Sequence, residues 1–154
     1  MNKREKLIVN NYTILIADDD ADDRLMAREA FCENFSNAIV QFVHDGEELM
    51  DYLKENVGNY FKIQNNKSQL ILLDLNMPKK DGKEALVEIK QNKDFKEISA
   101  IIFSTSRSDD DILKTYDLGV NCYIAKPNTY SELLELAKKI GDYWFKTVEL
   151  PFVA

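Results

Sequence analysis

Acidic side chains stand where two runs of apolar residues stop. Asp18, Asp19 and Asp20 follow Thr13 to Ala17 (TILIA), and Asp74 follows Leu70 to Leu73. Two other runs also end on polar groups. Ser104, with Thr105 and Ser106 behind it, closes SAIIF; Lys126, followed by Pro127, closes NCYIA. Clustered carboxylates repel one another and are costly to keep ionised without a counter-charge. A divalent cation removes that cost. All-oxygen donors favour a hard ion, and a site that also takes phosphate oxygens favours Mg²⁺. Such an ion would neutralise charge during in-line phosphoryl transfer. Lys126 would hold a phosphate oxygen as a point charge, and Ser104 would donate a hydrogen bond to another. The implied chemistry is formation of an aspartyl phosphate on Asp74.

The elements that must position these groups follow from the pattern. Gln69 to Asp74 reads as a buried strand ending on a carboxylate, since a continuous apolar run suits a parallel strand covered on both faces. Asn76, Met77 and Pro78 end it, and Asp81-Gly82 is a turn signal, with Gly82 free to take positive φ. Thr13–Ala17, Ala38–Val43, Ser99–Phe103 and Asn121–Ala125 are the other strands. Helices are expected after Asp22 and Asp23, which can cap the first, then after Asp45-Gly46 as a short segment, over Lys83–Gln91, over Ser108–Leu118 with Ser108 as N-cap and Gly119 beyond its end, and from Tyr130 to about Thr147. Residues 56–68, polar and rich in Asn, read as a long loop. Residues 1–11 read as a loose charged leader, 12–147 as one domain, and 148–154 as a tail.

Five βα units in strict alternation predict an α/β fold: a doubly wound, five-stranded parallel sheet of flavodoxin-like type, strand order 2-1-3-4-5, with right-handed crossovers. In that order the carboxyl ends of strands one, three, four and five meet at the switch-point crevice. Asp18, Asp19, Asp74, Ser104 and Lys126 therefore converge. Each taken alone has a plainer explanation. The Asp18–Asp20 triplet suits the positive end of the next helix, Ser104 can be a cap, and Lys126 a solvated charge. The four strand ends together carry the argument.

Composition narrows the rest. The 154 residues suit one domain with an ordinary core, being 45% hydrophobic, and the formal net charge of −7 argues against nonspecific nucleic-acid binding. Cys32 and Cys122 form no CxxC, so neither a zinc site nor a disulfide framework is indicated. No apolar run reaches the length of a signal peptide core or a membrane span, so a cytoplasmic protein is expected. His44, the single histidine, lies at a strand end and reads as structural. Trp144, with Tyr143 and Phe145, reads either as tail packing or as a hydrophobic surface for a homodimer or partner, and the second is preferred.

The motifs ILIADDD, LLDLNMPKKDG, FSTS and LGVNCYIAKP resemble, in combination, the receiver domains of two-component response regulators, over roughly residues 12–141. DLNMPKKDG, LGVNCYI and the late YWFKTVELP are similar, more narrowly, to stand-alone regulators that partner phytochrome-type kinases. The resemblance implies that Asp74 is the phosphoacceptor, fed by a histidine kinase's phosphohistidine. It implies that Asp19 binds Mg²⁺ directly and Asp18 largely through water, with Asp74 and the backbone carbonyl of Asn76 completing the protein ligands. Lys126 would bind the phosphoryl group, with Pro127 forming a bend that is often cis in this family. Ser104 would move toward the phosphate, and Tyr123 would turn inward with it, changing a face made by helix four, strand five and helix five. Asn76 and Ser106 would tune the lifetime of the phosphoryl group. Asp20 and the 56–68 loop depart from the pattern.

Such a protein is a signalling protein that catalyses only its own phosphorylation and dephosphorylation. About a dozen residues remain after the last helix, so its output is expected to be a protein contact or onward phosphotransfer, without nucleic acid or membrane. A haloacid-dehalogenase-like phosphohydrolase would need a second acid where Asn76 stands. A mononucleotide binder would find its phosphate repelled by Asp18–Asp20. A phosphorylation-independent scaffold would not need the intact Asp19, Asp74, Ser104 and Lys126 set.

Overall fold

The computed structural model describes residues 12–64 and 69–147, with backbone only over 57–64. The expected leader at 1–11, the end of the 56–68 segment and the 148–154 tail lie outside the described residues. The elements are β1 (Tyr12–Ala17), α1 (Ala21–Asn34), β2 (Ala38–Val43), α2 (Gly46–Gln64), β3 (Gln69–Leu73), α3 (Gly82–Gln91), β4 (Ser99–Ser104), α4 (Asp109–Asp117), β5 (Cys122–Ala125) and α5 (Tyr130–Gly141), followed by a π-helical turn over Asp142–Thr147. The sheet is parallel throughout, in the order β2-β1-β3-β4-β5.

The central strand faces two apolar layers at once. Leu70 and Leu72 point into a cluster with Ile14, Ile16, Ala27, Phe31, Ala137 and Ile140, which α1 and α5 cover. Ile71 and Leu73 point the other way, into Leu49, Leu53, Leu86 and Ile89 of α2 and α3. A strand buried on both sides needs no polar face, which is why LILL lacks alternation. Each such fully buried side chain contributes about 1.5–3 kcal/mol.

Four expectations are corrected. The helix after Asp45-Gly46 runs on to Gln64, so most of the 56–68 segment is helical rather than loop; Leu49, Met50 and Leu53 anchor its first turns, and extending a helix already begun is easier than starting one. The first helix is capped by Asp20, whose carboxylate accepts from the Asp23 N–H at 3.0 Å, and not by Asp22 or Asp23. Gly82 does not have positive φ; Lys79 takes it, at 65°. Glycine is required at 82 by crowding, because a Cβ there would meet the Asp74 carbonyl oxygen at 2.2 Å. No cis peptide occurs among the described residues, so the Lys126–Pro127 bond is trans, the isomer favoured even before proline.

The aromatic end of the chain also packs differently from the partner-surface expectation. Phe145 stacks on Tyr12, with ring centroids 4.4 Å apart, and meets Phe35 edge-on at 5.9 Å. Trp144 and Phe145 join the α1/α5 layer of their own domain, leaving Tyr143 exposed. The π-helical turn after α5 carries Phe145 onto Tyr12 at the start of β1. Among the described residues no helix is long and apolar enough to cross a membrane.

Candidate functional site

Backbone bonds just past the strands carry the site. The Asp74 N–H donates to the Ala17 carbonyl at 2.9 Å, the Asp18 N–H to the Val43 carbonyl at 3.1 Å, and the Lys126 N–H to the Ser104 carbonyl at 2.8 Å. Each ladder thus continues one rung beyond its strand, and the three charged residues stand at fixed heights past β1, β3 and β5. The turn that follows Asp74 is held as well. The Gly82 N–H donates to the Leu75 carbonyl and the Gly46 N–H to the Lys80 carbonyl, both at 2.9 Å. Asp81 and Glu84 form a capping box that starts α3.

Asp18 and Asp74 are buried, while Asp19 is exposed. One carboxylate oxygen from each lies within 4.8 Å of the others. Lys126 Nζ enters this cluster from β5. It donates to Asp18 Oδ2 at 2.6 Å, Asp23 Oδ2 at 2.8 Å and Asp74 Oδ2 at 3.2 Å. Burial pushes the Asp18 carboxyl above its ordinary value, opposed by the Lys126 hydrogen bond and by the Asp20 N–H. Burial alone would lower the Lys126 ammonium, but its bonds to Asp18 and Asp23 and the Asp74 charge override that and hold it above its ordinary range. The ammonium is therefore charged at any physiological pH.

The donor set fits a hard divalent ion. Three carboxylates close around one point, one of them open to solvent for entry, and a single buried ammonium is too little positive charge for them. Asp18, Asp19 and Asp74 are the side chains that would hold such an ion.

The other expected residues sit in a second group. Ser104 is fully buried at the end of β4, and its Oγ accepts from the Ser106 N–H at 3.3 Å. Tyr123 is half-buried, and its hydroxyl donates to the Ser106 carbonyl at 2.8 Å. The Ser106 hydroxyl donates to Asp111 Oδ2 at 2.6 Å, and Lys83 Nζ donates to Asp111 Oδ1 at 2.5 Å. Ser104, Ser106 and Tyr123 are thus joined to each other, beside the acidic cluster and outside it. Asn76 is exposed just past Asp74, and its N–H lies 3.5 Å from Asp74 Oδ1, at the long limit of a hydrogen bond.

Sequence reasoning missed Asp23, Arg24 and Asp111. Arg24 donates to the Asp18 carbonyl at 2.8 Å and fixes the bend after β1. Asp23 was legible only as a cap candidate; the signal was its place one helical turn beyond Asp19, which returns it to the site. Asp20 caps α1 and has no place in the cluster. His44 is exposed and lies 3.5 Å from Glu48, away from these groups.

The fold and this constellation define a phosphoacceptor module. The chain belongs to the response regulator receiver domain family, whose sequence profile matches residues 14–138, and is a signalling protein of two-component systems. Among its relatives, Response regulator Rcp1 of Synechocystis sp. is 38% identical over 139 residues, covering 90% of this chain and 91% of Rcp1. The crystal structure of the phosphorylated cyanobacterial phytochrome response regulator RcpA superposes with a TM-score of 0.80 at 40% identity, covering 92% of this chain and 99% of RcpA. The Mn²⁺-bound form of Rcp1 superposes with a TM-score of 0.77 at 35% identity, covering 91% and 99%.

Proposed function

We propose that this protein takes a phosphoryl group onto Asp74 from the phosphohistidine of a sensor kinase. The observation that carries the reading is the convergence of Asp18, Asp74 and Lys126 within 3.2 Å of one ammonium nitrogen, with Asp19 beside them. An Asp74 carboxylate oxygen attacks phosphorus in line, the P–N bond breaks, and the leaving imidazole takes up a proton. Asp18, Asp19, Asp74 and the Asn76 carbonyl would hold Mg²⁺, which would neutralise the charge that develops on the transferring oxygens. Lys126 binds one phosphoryl oxygen and Ser104 donates to another. Hydrolysis by water returns the free carboxylate, and Asn76 and Ser106 tune the rate of that step.

The new charge draws Ser104 toward it. Ser106 lies two residues beyond Ser104 and donates its N–H to the Ser104 Oγ, and it holds Tyr123 through its carbonyl and Asp111 through its hydroxyl. The outcome is a changed α4–β5–α5 face, read by a protein partner or used for onward phosphotransfer in the cytoplasm. The likeness to Rcp1 and RcpA, and the near end-to-end coverage of both, support a stand-alone regulator of a phytochrome-type kinase.

Intact-mass measurement with acetyl phosphate tests this directly. With Mg²⁺ the protein gains one phosphoryl group; with chelator, or as Asp74→Asn, it gains none. A wild-type protein that stays unmodified with donor and Mg²⁺ both present would overturn the reading.

A further inference from the structure

We propose that Asp23 is a positioning residue that competes with the phosphoryl group for Lys126, slowing the loading of Asp74 and shortening the lifetime of its phosphate. This rests on the phosphoacceptor reading above. An ammonium has three N–H donors. In this structure all three are committed, to Asp18, Asp23 and Asp74, at 2.6, 2.8 and 3.2 Å. A phosphoryl oxygen can be bound only when one of them lets go.

The three acceptors are not equivalent. Asp18 and Asp74 belong to the group of oxygens that can share a cation; Asp23 does not. An ion therefore compensates Asp18 and Asp74 for losing Lys126 and gives Asp23 nothing. Asp23 keeps its hold on the ammonium when the others release theirs. It also leaves a carboxylate across one ammonium from an incoming phosphoryl anion, and like charges at that separation repel. The side chain is partly open, 32% exposed, against 9% for Lys126. A cleft of about 30 Å³ adjoins the pair, lined also by Met26, Phe103, Pro127 and Leu133. The exposed side of Asp23 lets the carboxylate swing out into solvent, so the contact can open without disturbing the core.

The test compares wild type, Asp23→Asn, Asp23→Ser and Asp23→Glu in full-length protein. Loading by acetyl phosphate with Mg²⁺ and decay after donor removal are followed by intact mass, and Mg²⁺ affinity by calorimetry. Asp23→Asn and Asp23→Ser load roughly fivefold faster and decay more slowly, the size of one partly exposed charge interaction. Asp23→Glu, which keeps the charge, stays near wild type, and Mg²⁺ affinity moves little in all three variants. A structural role alone would slow loading in every variant and would not be restored by Glu. Loading by both neutral variants at or below the wild-type rate would overturn this inference while leaving Asp74 as acceptor. A wild type that takes no phosphoryl group would overturn both.

Discussion

The Tyr123 hydroxyl donates to the Ser106 backbone carbonyl at 2.8 Å, tying β5 to the loop that leaves Ser104. From Ser106 the chain of contacts continues through its own hydroxyl to Asp111, and from Asp111 to Lys83 at the start of α3. Four elements therefore meet around one serine. A tyrosine held this way reports the position of the loop, and Asp111 decides how firmly the loop is held.

Asp111 makes that hold depend on pH. Its carboxyl is kept below its ordinary value, first by the Lys83 hydrogen bond and then by that of Ser106. A depressed carboxyl contributes stability above the unfolded carboxylate range and loses it as pH falls through the folded value. Asp111→Asn should cost at most about 1 kcal/mol at neutral pH, because the pair is partly solvated. Its gap to wild type should close below about pH 4. Urea unfolding across that range checks it, and a gap that widens on acidification would contradict the arrangement.

Lys126→Met should destabilise the metal-free protein by about 3 kcal/mol, since Asp18 and Asp74 would be left buried without their counter-charge. Adding Mg²⁺ should recover more stability in this variant than in wild type. Thermal unfolding with and without Mg²⁺ measures the difference. Equal metal-induced gains would show that the ion and the ammonium do not share these carboxylates.

The two cysteines should separate cleanly in a labelling experiment. Burial pushes the Cys122 thiol up to about 11, whereas Cys32 is exposed on α1. At pH 8 a thiol reagent should modify Cys32 first, with Cys122 following only on denaturation. Peptide mapping reads the order. Early modification of Cys122 would mean that β5 opens readily.

Thr13 carries a buried hydroxyl with no hydrogen-bond partner among the described residues. Thr13→Val keeps the shape and β-branching and removes that polar atom, so it should stabilise by about 1 kcal/mol. A loss of stability in urea unfolding would mean that the hydroxyl has a water partner.

Strand ends were the most legible part of this chain. Leu70–Leu73 and Thr13–Ala17 announce buried strands by unbroken apolar runs, and a parallel sheet then brings Asp18, Asp74 and Lys126 together without further information. What the sequence hid depends on helical phase. Asp23 reaches Lys126 because Asp20, and not Asp22, starts α1; moving the cap shifts which acid faces the sheet. Asp111 is one of three acids in the first turn of α4, and only the fold shows Lys83 beside it. The 56–68 segment was misread because polar composition was given more weight than the propagation of a helix already begun. The place of Phe145 is not legible locally, because its stacking partner Tyr12 lies more than a hundred residues away in the chain.

Helix α4 buries one side chain, Thr115, while Leu113 and Tyr116 stand in solvent. Its remaining anchorage is polar: the Asp111 clasp, and the Tyr116 hydroxyl that accepts from the Tyr123 N–H at 3.2 Å. An element fastened so lightly sits at the low end of the local stability scale, where partial opening costs far less than global unfolding. Helix α4 can therefore be remodelled within the energy of a few hydrogen bonds, leaving the apolar layers on the two faces of the sheet undisturbed.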